Sequence, residues 1–413
     1  MKTITKFKGV TAMTYNLIDP VTIQNPFPMY TQMQREAAAV QVSPLGFYAV
    51  SRYDDVLHVL KNPQVYSSTA FAQLAQFMSG QVQDDLTGLF GYSMIAVDPP
   101  DHTRLRRLVN KAFTARAIEA LEPRIRTIAG DCIDRILELG EFDMMAELAS
   151  PLPIIVIAEM LGIESERRED FRRWSNDTIS LSGTNFLTPG DELPRVVESR
   201  RQMYEYLTEK IEERRASPGD DLISAMVLAQ EEGERLTAEE VVGMTVLLLI
   251  AGNETTTNLI GNAFAVIQQH PDLWQQIQAD PSIIPAFLEE VLRYNGPVLG
   301  LFRLVQEDTE LSGVEINKGA FVMPLFAAAN RDGIVFENPD QFDMYRPANR
   351  KHIAFGFGIH FCLGAPLARV EARIAFEQLV SRLPAVQFLN KDVEWINSFI
   401  LRGTRALPMK VVV

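Results

Sequence analysis

Polar and apolar positions change rhythm several times along this chain, and the longest rhythms are helical. Ile125, Ile128, Cys132, Ile136 and Leu139 recur every three or four positions, which predicts a helix with one buried face. From residue 103 to about 230 the pattern is mainly of this kind. A second long helix is expected to open near Thr237, a side-chain cap followed by Glu239 and Glu240, and to continue past Asn258. It is apolar almost all round from 241 to 250, so it should cross the interior. A short helix is expected over 53–60 and a last one from Ala365 to about Arg382. Strand-like stretches fall at 47–50, 299–305, 310–314 and 320–324. With no repeat, low-complexity tract or Ser/Gly linker, the expectation is one mainly α domain with minor β over 1–413, its first residues (to about 20) forming an N-terminal extension.

Composition narrows the class. Hydrophobic residues are 47% and charged residues 22%, as in a globular protein with a large core. A net charge of −14 repels phosphate backbones, so nucleic acid is not an expected partner. Two cysteines are too few for a disulfide framework and suit a reducing compartment. The first residues lack the apolar core of a signal peptide, and the best apolar run, 246–252, is far shorter than the roughly 18 residues of a membrane span. A cytoplasmic protein without a membrane anchor is expected.

Cys132, on an apolar helical stripe, reads as a packed core thiol. Cys362 is different. It lies in HIAFGFGIHFCLGAPLARVE, between Gly358 and Gly364, among Phe355, Phe357 and Phe361, just ahead of a helix with Pro366 in its first turn. A helix N-terminus favours thiolate, glycines let a flat ligand approach the backbone, and phenylalanines exclude water. That combination fits an axial thiolate for haem iron. Zinc would lack ligands beyond His360, and a dinucleotide loop would need a third glycine where Phe361 stands. A cysteine hydrolase, with only His360 at hand as base, is weaker but stays open on these residues alone.

Three other stretches stand out. Glu254 lies in the apolar helix, where an unpartnered charge is costly; Gly252 leaves space beside that helix and Thr255 can hydrogen-bond into it. Glu290 and Arg293 are three apart and can pair, with Glu289 competing, although such a pair is by default a surface feature. His102 and Arg106 share one helix face, with Arg104, Arg107 and Lys111 roughly opposite. His58, His270 and His352 carry no signal.

Phe355-x-x-Gly358-x-x-x-Cys362-x-Gly364, with His360 and then Ala365-Pro366-Leu367-Ala368-Arg369-x-Glu371, resembles the haem-binding signature of soluble bacterial cytochromes P450. The other stretches follow in that family's order over about residues 20–413. The resemblance implies the cytochrome P450 fold, with a long central helix over the haem and small β-sheets. It implies haem b (iron protoporphyrin IX) ligated by Cys362 and flanked by Phe355, Gly356 and Gly364. Ala251 and Gly252 would border the distal face, where O2 binds, and Glu254 with Thr255 would deliver protons there, Thr256 sharing the hydrogen bonding. His102, Arg106, Arg303 and His360 would grip the propionates, while Glu290, Arg293 and Arg346 form a structural network.

The implied activity is insertion of one atom of O2 into an apolar substrate, by hydroxylation or epoxidation. Few residues follow Glu371, so electrons are expected from NAD(P)H through a separate reductase and a ferredoxin or flavodoxin, docking on Arg104, Arg107 and Lys111. Substrate walls are expected at 77–95, at 174–189 (a mobile lid), at Leu247 to Ala251, at Val298, Leu299 and onward to 302, and around Ile400. The rivals are a peroxide-driven peroxygenase or an isomerase, against which the Glu254–Thr255 pair stands, and a haem sensor or binder without turnover.

Overall fold

The computed structural model describes residues 15–70, 73, 93–111, 113–180, 193–231, 233–347 and 349–412. Most of the expected N-terminal extension, and the wall segments 77–92 and 181–189, lie outside the described residues.

The central helix, Ala238–Gln269, starts where its sequence says it should. Thr237 Oγ1 accepts from the Glu240 backbone N–H (3.2 Å) and Glu240 Oε2 accepts from that of Thr237 (2.9 Å), a reciprocal cap. Every residue from Glu240 to Leu249 is buried, so this half is enclosed on all sides. Around it pack the helices Pro151–Met160, Arg168–Ser180, Leu193–Ala216, Ile284–Asn295 and Ala365–Arg382. Helix Ala115–Leu139 lies against the last of these. Its stripe is buried from Ile125 to Ile136, but Leu139 is 47% exposed, because the final turn leaves the core just before Gly140.

The β content forms small separate sheets. A mixed five-stranded sheet runs in the order Ala39–Gln41, Tyr48–Val50, Phe321–Pro324, Arg303–Val305, Tyr66–Ser67. Only the second and third of these strands are parallel, in the register Val322 opposite Tyr48. A three-stranded sheet joins Ala385–Phe388, Pro408–Val412 and Glu141–Asp143.

Two strand expectations are corrected. The stretch 310–314 is not one strand but a hairpin of Thr309–Leu311 and Val314–Ile316, since Ser312 and Gly313 both take positive φ (46° and 88°) and reverse the chain. The stretch 299–305 is a ladder strand only from Arg303 onward; before it, Val298 and Gly300 make isolated bridges to Leu401 and Leu325. Among the described residues no helix is long and apolar enough to cross a membrane.

Candidate functional site

The cysteine loop is closed by its own backbone: the Cys362 N–H donates to the Phe355 carbonyl at 2.9 Å. Gly356 and Gly358 both take φ of +72°, in the region that favours glycine. A Cβ on Gly358 would stand 2.7 Å from the Leu60 carbonyl oxygen, so the loop rests directly on helix Tyr53–Lys61. A Cβ on Gly364 would meet nothing within 4 Å, so that side of the loop is open. Burial pushes the Cys362 thiol upward, against the N–H groups of Gly364 and Ala365 and the charges of Arg106 and Arg369. The helix-terminus effect is present, but burial outweighs it.

Beside this loop four basic side chains converge from three parts of the chain. His102, on helix Asp101–Asn110, is 2% exposed, and neither ring nitrogen has a hydrogen-bond partner. Its ring lies 4.2 Å from that of His360, centroid to centroid, and His360 Nε2 meets Ser68 Oγ at 2.8 Å. Burial, then the charges of Arg303, His102 and Arg106, hold His360 down at about 2. Arg303 is buried and, among the described residues, donates only to the neighbouring Phe302 carbonyl (2.8 Å); burial lowers it to about 10. Arg106 Nη1 donates to the Phe361 carbonyl at 2.8 Å, joining its helix to the cysteine loop. The nearby carboxylate, Asp98, accepts instead from Ser67 Oγ and from the Ser68 N–H (2.8 Å). Buried donors and cations without a counter-ion are costly, and an anionic group is their complement.

On the central helix Ala251 is exposed, directly after the buried half. Thr255 Oγ1 donates back to the Ala251 carbonyl at 2.6 Å, leaving the hydroxyl's lone pairs free. Glu254 has no hydrogen-bond or ion-pair partner among the described residues, and burial pushes it up to about 8. That shift favours the protonated carboxyl at neutral pH. The Cβ direction of Gly252 faces Ile157 at 3.8 Å, so the space expected beside it is occupied by helix Pro151–Met160; only its backbone can serve a ligand. Thr256 is buried.

Glu290, Arg293 and Arg346 form a network, and it is interior, not superficial. Arg293 donates to both Glu290 oxygens (2.8 and 2.7 Å) and to the carbonyls of Asn330, Pro339 and Gln341. Arg346 Nε lies 3.4 Å from Glu290 Oε1, with its Nη groups on the carbonyls of Glu337, Asn338 and Gln341. Glu289 does not compete. Burial raises its carboxyl, but bonds from His352 (3.0 Å) and Arg369 (2.5 Å) prevail and hold it at about 2. Arg369 in turn lies over the Phe355 ring at 4.4 Å. Sequence reasoning passed over His352; its place at the head of the cysteine stretch was the available signal. It also missed Ser68 and Asp98, which lie far from the motif in sequence.

Two further expectations change. Arg104, Arg107 and Lys111 are not a free basic patch: Arg104 pairs with Glu240, Arg107 with Glu234 (3.2 Å), and Lys111 donates to the Gln230 carbonyl (2.9 Å). Leu299, 2% exposed, belongs to the apolar cluster of Phe47, Phe302 and Phe399, and is core. Its N–H donates to the Ile400 carbonyl (2.8 Å), which brings the half-buried Val298 and Ile400 together; Leu247 is buried on the central helix.

Comparison with known proteins gives one answer. The family model described as Cytochrome P450 matches residues 21–392. The chain is 40% identical to Cytochrome P450 107B1 of Saccharopolyspora erythraea, over 95% of this chain and 96% of that protein. It is 37% identical to Cytochrome P450 monooxygenase PikC of Streptomyces venezuelae, over 94% and 91%. The structure of Cytochrome P450 CYP109Q5 from Chondromyces apiculatus superposes with a TM-score of 0.89 at 42% identity, covering 97% of this chain and 98% of that one.

Proposed function

This chain belongs to the cytochrome P450 family of haem monooxygenases, and from that premise we propose that it inserts one atom of O2 into an apolar substrate, with Cys362 as axial ligand to haem b. The observation that carries the reading is the meeting of a thiol loop with a basic cluster that no carboxylate pairs with among the described residues. The residues fit the group: His102, Arg106, Arg303 and His360 would take its two propionates, and Gly364 presents an open side next to the sulfur. When bound, the haem supplies the oxidising chemistry, with thiolate ligation favouring O–O cleavage.

The protein's own part is placement and proton supply. Glu254, half-buried and pushed towards its protonated form, adjoins Thr255 on the central helix, an arrangement that supports proton delivery at the distal face. Glu254→Gln is expected to slow product formation about 10²-fold, in the range of a positioned acid–base group. Thr255→Ala is expected to go on consuming NAD(P)H while releasing hydrogen peroxide in place of product. Stability carries an independent signature. A carboxyl raised to about 8 costs stability progressively as pH rises from its ordinary 4.5 towards 8. The advantage of Glu254→Gln over the parent in urea unfolding should therefore widen between those values.

Electrons would arrive from NAD(P)H through a reductase and a separate ferredoxin or flavodoxin. With Arg104, Arg107 and Lys111 engaged internally, the docking centre is better placed on Phe357 and Phe361, 40% and 43% exposed, with Lys61 above the first. Phe357→Asp should slow haem reduction in stopped flow, whereas Arg107→Glu with Lys111→Glu should leave its salt dependence largely unchanged. The overall reading is tested by a ferrous–CO difference spectrum, followed by turnover with ferredoxin, reductase and NAD(P)H against peroxide alone. An imidazole-type spectrum would remove the thiolate, and product from peroxide alone would make the protein a peroxygenase.

A further inference from the structure

Ser68 is buried, 1% exposed, at the end of strand Tyr66–Ser67, and its hydroxyl meets His360 Nε2 at 2.8 Å. Register brings it there. That strand runs antiparallel to Arg303–Val305 with Ser67 opposite Leu304, so the next residue, Ser68, comes level with Arg303. Asp98 then fixes the turn. Its Oδ1 accepts from the Ser68 N–H (2.8 Å) and its Oδ2 from Ser67 Oγ, while Ser67 Oγ itself accepts from the Thr69 N–H (3.1 Å). The Asp98 charge opposes the lowering of Arg303 and His102, but its bonds go to the serines.

The His360 ring is thus set from two directions. His102 lies 4.2 Å away, centroid to centroid and tilted by 54°, and Ser68 occupies Nε2. Among the described residues Nδ1 has no hydrogen-bond partner. A neutral imidazole has one donor nitrogen and one acceptor, and the partner of one decides the role of the other. A hydroxyl can donate or accept, so it satisfies either tautomer, whereas a carboxylate needs an N–H. In the neutral ring, only a proton on Nδ1 lets it serve Ser68 and an anion at once.

We propose that Ser68, held by Asp98, is a positioning residue for the cofactor: its hydroxyl donates to His360 Nε2 and so presents Nδ1–H to a haem propionate. The inference rests on the haem-thiolate reading and adds a residue outside the basic cluster that decides how one of its members is aimed. The cluster supplies attraction for an anion; the serine supplies direction.

The first test uses haem-loaded full-length protein and follows haem transfer to an excess of apomyoglobin. Ser68→Ala is expected to speed haem loss about tenfold, the range of one charge-assisted bond. In a His360→Ala background the same change should add less than about twofold, because the residue through which Ser68 acts is gone. Equal effects in the two backgrounds would make Ser68 a support of the fold alone, and an unchanged rate in Ser68→Ala would remove it from the site; either result overturns the proposal. The second test leaves Ser68 in place and so decides even if Ser68→Ala does not fold. The chain holds five histidines, few enough for nitrogen NMR of isotope-labelled imidazoles in the diamagnetic ferrous–CO protein, with the His360 signals assigned from His360→Ala. The proton is expected on Nδ1, with Nε2 accepting; a proton on Nε2 instead sinks the proposal. A parent protein that binds no haem, or whose ferrous–CO spectrum lacks thiolate ligation, overturns the reading beneath it, a failure distinct from the others.

Discussion

Cys362→His protein is expected to bind haem yet to show no measurable NAD(P)H-driven oxygenation, and its ferrous–CO band should move to that of an imidazole-ligated haem. The geometry explains why ligation and chemistry separate here. On the proposed reading the propionates would be held by His102, Arg106, Arg303 and His360, side chains that the substitution leaves in place. What is lost is sulfur, the ligand that pushes electron density towards O–O cleavage. The local electrostatics also suit sulfur: the N–H groups of Gly364 and Ala365, with Arg106 and Arg369, favour its anionic form against burial. An imidazole placed there would gain nothing from donors aimed at an anion. A Cys362→His protein that kept full oxygenation would sink the assignment.

Arg293→Leu should do the greatest damage to folding. It would leave Glu290, fully buried, without its main counter-ion, and would strip donors from the carbonyls of Asn330, Pro339 and Gln341. Breaking a buried pair on one side costs about 3–5 kcal/mol. Set against a total stability of about 5–15 kcal/mol, that is enough to deplete soluble protein. Urea unfolding and expression yield both report it. Arg201→Ala is the contrast: Arg201 bridges Glu198 and Glu205, but its side chain is 55% exposed, and little change is expected. Comparable losses in the two variants would mean that burial is not what makes the Glu290 network matter.

The difference between those arginines marks what the sequence could disclose. Local patterns were legible: the helix Ala365–Arg382 was read with its final bounds, and the cap at Thr237 with its carboxylate is as expected. Spacing put His102 with Arg106 on one face and Glu290 with Arg293 within reach. Spacing could not say who else would arrive. Arg104, Arg107 and Lys111 looked free because their partners, Gln230, Glu234 and Glu240, lie more than a hundred residues away. Leu299 looked like a pocket wall because an apolar residue reads the same in a core.

The loop's seat on helix Tyr53–Lys61 also bears on how the holoprotein comes into being. Gly358 packs on Leu60, His360 bonds Ser68, and Arg106 holds Phe361, so the sulfur's position is specified by segments made more than 250 residues earlier, 255 in the case of Arg106. During synthesis those early segments emerge first and wait. No nascent chain shorter than the stretch ending at Cys362 contains both the sulfur and its supports, and the helix that follows must form before the loop is braced from behind. Capture of the cofactor through the sulfur therefore cannot precede synthesis of Cys362, and haem supply acts on a chain already made as far as that residue.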